Sequence, residues 1–305
     1  MSIIKHKAIF LGISILMVIA SLVSIFTFGL NFGTDFKGGT ILEVSYSEPV
    51  PSKEDIAGRV ASAGIESPAI QTAGVDGFLI KMKPLTETER QAVISALSLS
   101  ASTTASSSAG FQVKRFSSIG PSVGAELASK GIFALIGVAL LIVLFVAFAF
   151  RHVSRPIKSW KYGLIAVVAL LHDVIIPLGI FAYLGNFYGS EIDALFLTAL
   201  LTIMALSVSD TIVVFDRIRE NLKNKLGNTF SETVGISINE TFTRSLITSL
   251  TIIFVLLVLL FFGSPTTRDF ALILTMGMFF GTYSSIFLAS PMLVFAYERQ
   301  EKKRK

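Results

Sequence analysis

The chain has no cysteine, which excludes disulfides and thiolate metal sites and leaves the redox compartment unread. It is also poor in charge. Only 15% of its 305 residues are Asp, Glu, Lys or Arg, against roughly 25% in a soluble domain. Enzyme signatures are missing too: there is no H-E-x-x-H, no Walker loop and no G-x-S-x-G. No cofactor motif is present, and Gly38-Gly39 is expected to be a turn rather than a phosphate cradle. The expectation is a non-enzymatic chain that takes any energy it uses from an ion gradient or from partners. What the chain has instead is apolar residues, 52% of the total, with 26 Phe and a mean hydropathy of +0.71. Such a composition points to a bilayer as solvent.

A helix crosses roughly 30 Å of hydrocarbon with about 20 mainly apolar residues. Six stretches meet that test: 8–30, 131–150, 162–184, 194–215, 244–262 and 270–297. The last two are separated by the breaker Gly263-Ser264-Pro265. The first is read as a retained anchor, because it outruns a signal-peptide apolar core and no small-x-small site precedes Asn31. The spans carry no internal repeat.

Basic residues gather in alternate loops: Lys5 and Lys7; Arg151, Arg155, Lys158 and Lys161; Arg217, Arg219, Lys223 and Lys225; and the tail from Arg299 to Lys305. Positive loops stay inside, so both termini are expected in the cytoplasm and residues 31–130 outside. The net charge of +5 is thus topological and asks for no nucleic acid. The expected domains are a first anchor at 1–30, an extracytoplasmic α+β domain at 31–130, five further spans at 131–297 and a basic cytoplasmic tail at 298–305.

Within the outer segment, Leu42, Val44 and Tyr46 alternate with Glu43 and Ser45, as in a half-buried strand. Ser52 with Asp55 forms a capping-box pattern opening a helix that Gly64 stops. Strands at 68–73 and 77–83 are expected to be joined by a hairpin at Asp76-Gly77. Thr86 with Glu89 starts a second helix, the Ser/Ala/Thr run at 98–109 reads as a frayed end or loop, and 111–117 supplies a last strand. The order βαββαβ is that of a ferredoxin-like split unit. Ten acidic and nine basic residues between 31 and 130 leave the domain near neutral. It is either a structural cap or a surface for an extended polypeptide at a sheet edge.

An ionisable group near the bilayer centre costs at least about 2.5–3.5 kcal/mol and so asks for a reason. Asp210 lies in the fourth span, and Arg244 opens the fifth on this reading. The two spans run antiparallel and place these groups at similar depth. They are expected to face each other as an ion pair, and separating them would let the carboxylate take a proton. A static pair that only fixes helix register is the alternative. His172-Asp173 in the third span either extends a proton path or locks packing through hydroxyls of a neighbouring helix. Asp216-Arg217-Ile218-Arg219-Glu220 reads as an interfacial, solvated helix end.

These motifs resemble those of the SecD/SecF protein-export family. Asp35-Phe36-Lys37-Gly38-Gly39-Thr40 is similar to its D-F-x-G-G-T signature, and Gly120-Pro121-Ser122-Val123-Gly124-Ala125-Glu126-Leu127 to its G-P-x-V-G-x-E-L. His172-Asp173-Val174, the run Ser209 to Glu220 with Asp210, Asp216 and Arg217, and Asn239 to Ser245 with Arg244 resemble the versions in the family's SecF branch. The short outer domain also favours that branch. The resemblance implies half of an RND-type bundle and an accessory role in the Sec translocon of the cytoplasmic membrane. It further implies a SecD-type partner, a SecY-type channel beside it and an exported polypeptide as substrate. Asp210 and Arg244 stand at the positions the family assigns to its proton path. A scaffold that conducts no protons, and an RND-type exporter of small molecules or lipids, are the competing classes.

Overall fold

The computed structural model describes residues 2–47, 50–66, 68–98, 110–150 and 157–303. The Ser/Ala/Thr run beyond residue 98, Arg151, Arg155, Arg304 and Lys305 lie outside them. The chain forms two compact units: residues 1–31, 132–263 and 267–305 in one, and 32–131 with 264–266 in the other.

The first unit is a helical bundle. Six helices are long and apolar enough to cross a membrane: Lys7–Phe28, Pro121–Ala149, Ser159–Tyr188, Ala194–Lys223, Phe230–Phe262 and Thr267–Lys302. The third and sixth are the inner ones, each 56% buried across its most apolar window, whereas the second is only 6% buried and lies at the periphery. Their common core is built from side chains such as Tyr162, Ala169, Met204, Phe215, Ile238, Ala289 and Leu293. At the third span's entrance Phe150 stacks on Tyr162 with ring centroids 5.4 Å apart.

Two spans begin earlier than hydropathy suggests. The second starts at Pro121, a residue suited to a first helical turn because its missing N–H has no partner to lose there. The fifth starts at Phe230, where the Thr229 side chain caps Glu232 N. Residues 230–243 carry Glu232 and Glu240 and so fail an apolarity test. They are helical because one face, with Phe230, Thr233, Val234, Ser237 and Ile238, is buried. Arg244 therefore does not open the fifth span. It sits close to the middle of a 33-residue helix.

The second unit has the expected βαββαβ order: β1 Gly39–Tyr46, a helix Lys53–Ser62, β2 Ala69–Ala73, β3 Gly77–Met82, a helix Glu87–Ser98 and β4 Phe111–Ile119. The four strands form one antiparallel sheet in the order β2-β3-β1-β4. Leu42, Val44 and Tyr46 of β1 turn inward onto Ile56, Val60, Val93 and Leu97 of the two helices. Ser52 and Asp55 form the predicted capping box, and Thr86 and Glu89 bond each other's backbone N–H in the same way.

The hairpin differs in detail. Ala73 pairs with Gly77, so the loop is Gly74-Val75-Asp76 and not Asp76-Gly77. Gly74 takes the left-handed turn position at φ 77°, while Gly77 is a strand residue. At one corner of the sheet Gly39 pairs with Ile119, the start of β1 against the end of β4.

Candidate functional site

Two carboxylates lie near the midpoints of neighbouring helices, Asp173 in the third span and Asp210 in the fourth. Among the described residues, neither meets an arginine or lysine within ion-pair distance. Both are held by hydroxyls.

Asp173 is fully buried. Its Oδ1 is hydrogen-bonded to His172 Nδ1 at 2.8 Å. Its Oδ2 accepts from Ser207 Oγ of the fourth span and from Ser284 Oγ of the sixth at 2.7 Å. The His172 ring stacks 6.0 Å from Tyr283, and its Nε2 is buried with no partner among the described residues. A buried carboxylate with three donors is satisfied as an acceptor without a countercharge.

Asp210 Oδ1 accepts from Ser245 Oγ of the fifth span at 2.8 Å. Its Oδ2 accepts from Ser285 Oγ of the sixth at 3.0 Å. The carboxylate lines a cavity of about 130 Å³ together with Ser207, Ser209, Arg244, Thr248 and Thr282. The expected Asp210–Arg244 ion pair is not formed among the described residues. Arg244 shares the cavity, but its side chain is exposed. The reason is local: Ser245, next in sequence, is buried and takes the carboxylate, and the following helical position cannot point the same way as Arg244. Ser207 joins the two sites, because it lines the cavity and donates to Asp173.

The fourth span continues to Lys223, so Asp216 and Arg217 lie within a helix rather than at its end. Asp216 is exposed and meets Arg219 at 3.5 Å. Arg217 reaches across to the fifth span: its Nε donates to Glu240 Oε2 at 2.7 Å and its Nη1 to Glu220 Oε2 at 2.7 Å. Asn221 Nδ2 donates to the same Glu240 oxygen. This interhelical clasp was not legible in the run 216–220 alone, since its central acceptor is Glu240.

The two glycine motifs of the second unit meet each other. Gly38 has φ 80°, and a Cβ there would lie 2.8 Å from Pro121 Cα; a Cβ on Gly124 would lie 2.7 Å from Phe36 O. Thr34–Lys37, with Asp35 and Phe36, is a single helical turn before Gly38, and Gly39 opens β1. Gly120 precedes the helix that Pro121 starts. Glycine at 38 and 124 thus permits a backbone-to-backbone approach that any side chain would block.

Sequence reading singled out the acids but not Ser207, Ser284 or Ser285. The available signal was the polar run Tyr283-Ser284-Ser285 inside an apolar span.

Comparison with known proteins places this geometry in a family. Residues 99–299 match the model described as protein export membrane protein SecD/SecF, C-terminal, and residues 23–50 match the SecD/SecF GG motif. The protein translocase subunit SecF of Thermobaculum terrenum is 40% identical over 302 residues, covering 96% of this chain and 92% of that protein. The subunit of the same name from Escherichia coli O157:H7 is 35% identical, covering 92% and 83%. The crystal structure of SecDF, a translocon-associated membrane protein from Thermus thermophilus, matches with a TM-score of 0.79 at 32% identity. That match covers 98% of this chain and 39% of the SecDF chain. A second SecDF structure, in a super-membrane-facing form, matches with a TM-score of 0.69 at 31% identity. With both family models matched and such identity sustained along nearly all of its length, the chain belongs to the SecD/SecF family of protein-export membrane proteins.

Proposed function

We propose that this chain is an accessory subunit of the Sec protein-export translocon, and that proton uptake at Asp210 is coupled to outward movement of the exported polypeptide. The observation that carries the reading is the setting of Asp210, a carboxylate held by hydroxyls on the wall of a cavity. A tight guanidinium pair would lock the group in its ionised form. A hydroxyl can donate to a carboxylate or accept from a carboxylic acid, so this cage serves both states. A cavity of about 130 Å³ has room for several waters, each needing about 30 Å³. Arg244, exposed on its wall, supplies a positive charge whose distance from Asp210 can change. The role is transport rather than enzymatic catalysis.

The SecDF comparison supports a SecD-type partner as the second half of the bundle, and the proposal sets that pair beside a SecY-type channel. The basic residues at Lys5, Lys7, Lys158, Lys161, Lys223, Arg299 and Lys302 support a cytoplasmic-membrane orientation with both termini inside and the sheet domain outside.

The test is export into inverted membrane vesicles containing this chain with its SecD-type partner, with and without a proton gradient. Asp210→Asn keeps size and hydrogen-bonding capacity but cannot ionise. The gradient-dependent share of export is expected to disappear while ATP-driven export persists. Unchanged gradient dependence in Asp210→Asn would sink the coupling and leave a scaffold.

A further inference from the structure

Ser284 and Ser285 are consecutive, fully buried, and bonded to different acids: Ser284 to Asp173 of the third span, Ser285 to Asp210 of the fourth. Successive residues on a helix point about 100° apart, so one rigid element reaches two neighbouring helices only if it is wedged between them. The wedge occurs where the sixth span leaves regular α-helix. Ser285–Ala289 is a π-helical turn, and Ser290 Oγ donates to Ser285 O at 3.0 Å. Such turns insert one extra residue and concentrate at functional sites.

Each of the two serines has a second acceptor within reach. Ser284 Oγ lies 3.0 Å from Gly281 O, and Ser285 Oγ 3.0 Å from Thr282 O. Among the described residues, Ser207 and Ser245 have no such second acceptor. A hydroxyl carries one proton and donates to one acceptor at a time. Facing an ionised carboxylate, each serine donates to it. Facing a protonated one, the new carboxylic O–H donates to the serine oxygen, and the serine turns its own proton onto the backbone carbonyl one turn back. Neither the serine nor the carboxyl oxygen it faces is left unpaired in either state. At Asp210 the proton arrives as hydronium in the cavity, forms an O–H bond on the carboxylate and leaves water behind. At Asp173, which does not line the cavity, Ser207 passes its hydroxyl proton to the carboxylate and takes one from cavity hydronium in exchange.

We infer that Ser284 and Ser285 are positioning residues through which the sixth span registers the protonation state of both Asp173 and Asp210. The inference rests on the proton-coupled reading above and deepens it, adding a second acid and the helix that links the two. The other titratable or charged groups facing these acids are His172 beside Asp173, Tyr283 stacked on that imidazole from the sixth span, and Arg244 on the cavity wall. The remaining cavity lining is hydroxyl-bearing, glycine or apolar.

The experiment combines infrared difference spectroscopy on the complex with the vesicle export measurement. Asp173→Asn and Asp210→Asn identify the carboxylic C=O band of each acid. Ser284→Ala is expected to move the Asp173 band and leave the Asp210 band in place, and Ser285→Ala to do the reverse. Each is expected to lower gradient-dependent export by about tenfold, the size of one lost bond to a charged group. Ser→Cys, of similar size with a weak S–H donor, is expected to recover part of it. Loss of export with both bands unmoved would mean the serines only support packing, and the inference fails. It also fails if both alanine variants export like the parent while Asp210→Asn does not; in that case proton coupling itself stands. If Asp210→Asn exports normally, the parent reading falls first.

Discussion

Asp173 and Asp210 carry the same group near the same depth, yet one is sealed and the other opens on a cavity. Their substitutions should separate accordingly. Asp173→Ala strips His172, Ser207 and Ser284 of a shared acceptor in a fully buried site, and each stranded polar group costs about 1–3 kcal/mol. Melting of the purified protein in detergent should fall clearly for Asp173→Ala and little for Asp210→Asn. In the sheet domain the titratable side chains respond to pH at both extremes. Burial pushes the Tyr46 hydroxyl up to about 12, partly opposed by Arg59. A raised folded-state pKa means the associated stability is complete below pH 10 and is lost as pH rises toward 12. Tyr46→Phe should flatten that loss. At the acid end, the bonds to Ser52 and to Thr86 hold Asp55 and Glu89 below the usual carboxylate range. Their contribution is present above the ordinary carboxylate pKa and is lost as pH falls through the lowered values, which domain melting between neutral pH and pH 3 would register.

At the scale of elements, legibility followed how local the cause was. The capping boxes, the strand alternation of β1 and the βαββαβ order could be read because each depends on residues within a few positions of one another. The fifth span could not be bounded. Its first turns are helical through burial of Phe230, Thr233 and Val234 against other spans, a tertiary cause invisible to a hydropathy window. The same lack of tertiary information produced the Asp210–Arg244 pair: depth along a helix was legible, azimuth was not, and Ser245 holds the position assigned to Arg244. The hairpin was one step out because Gly74 and Gly77 are both credible turn residues, and only the register selects the first.

Two element-level outcomes follow. Gly124→Ala must move the backbone at Phe36, so it should destabilise by about 1–3 kcal/mol, an overpacking cost, measurable as a drop in melting temperature. Arg217→Ala breaks a pair whose side chains are each about a third exposed, and about 0–1 kcal/mol is the expected loss for such a contact.

For the molecule as a whole, the distribution of burial is uneven in an informative way. The first, second and fifth spans are little buried, and Arg244 stands on the exposed side of the fifth, close to its midpoint. A guanidinium at that depth costs at least about 2.5–3.5 kcal/mol against lipid, so this face requires a cover. Expressed without a SecD-type partner, the chain should be cleared faster in a pulse-chase than when co-expressed. Arg244→Leu should narrow that difference by making the orphaned face compatible with lipid, while removing gradient-dependent export.

The pairing of Gly39 with Ile119 brings the entry and the exit of the sheet domain to one corner. A module whose two ends meet can be lifted out or exchanged as a cassette, because the chain on either side sees only a short gap. Closing that gap with a larger or smaller insert changes the loop entropy slowly, by about 0.6 kcal/mol per doubling of length. The sheet domain is therefore the part of this protein freest to be resized or regrafted, and the bundle can keep its helices while that module is rebuilt.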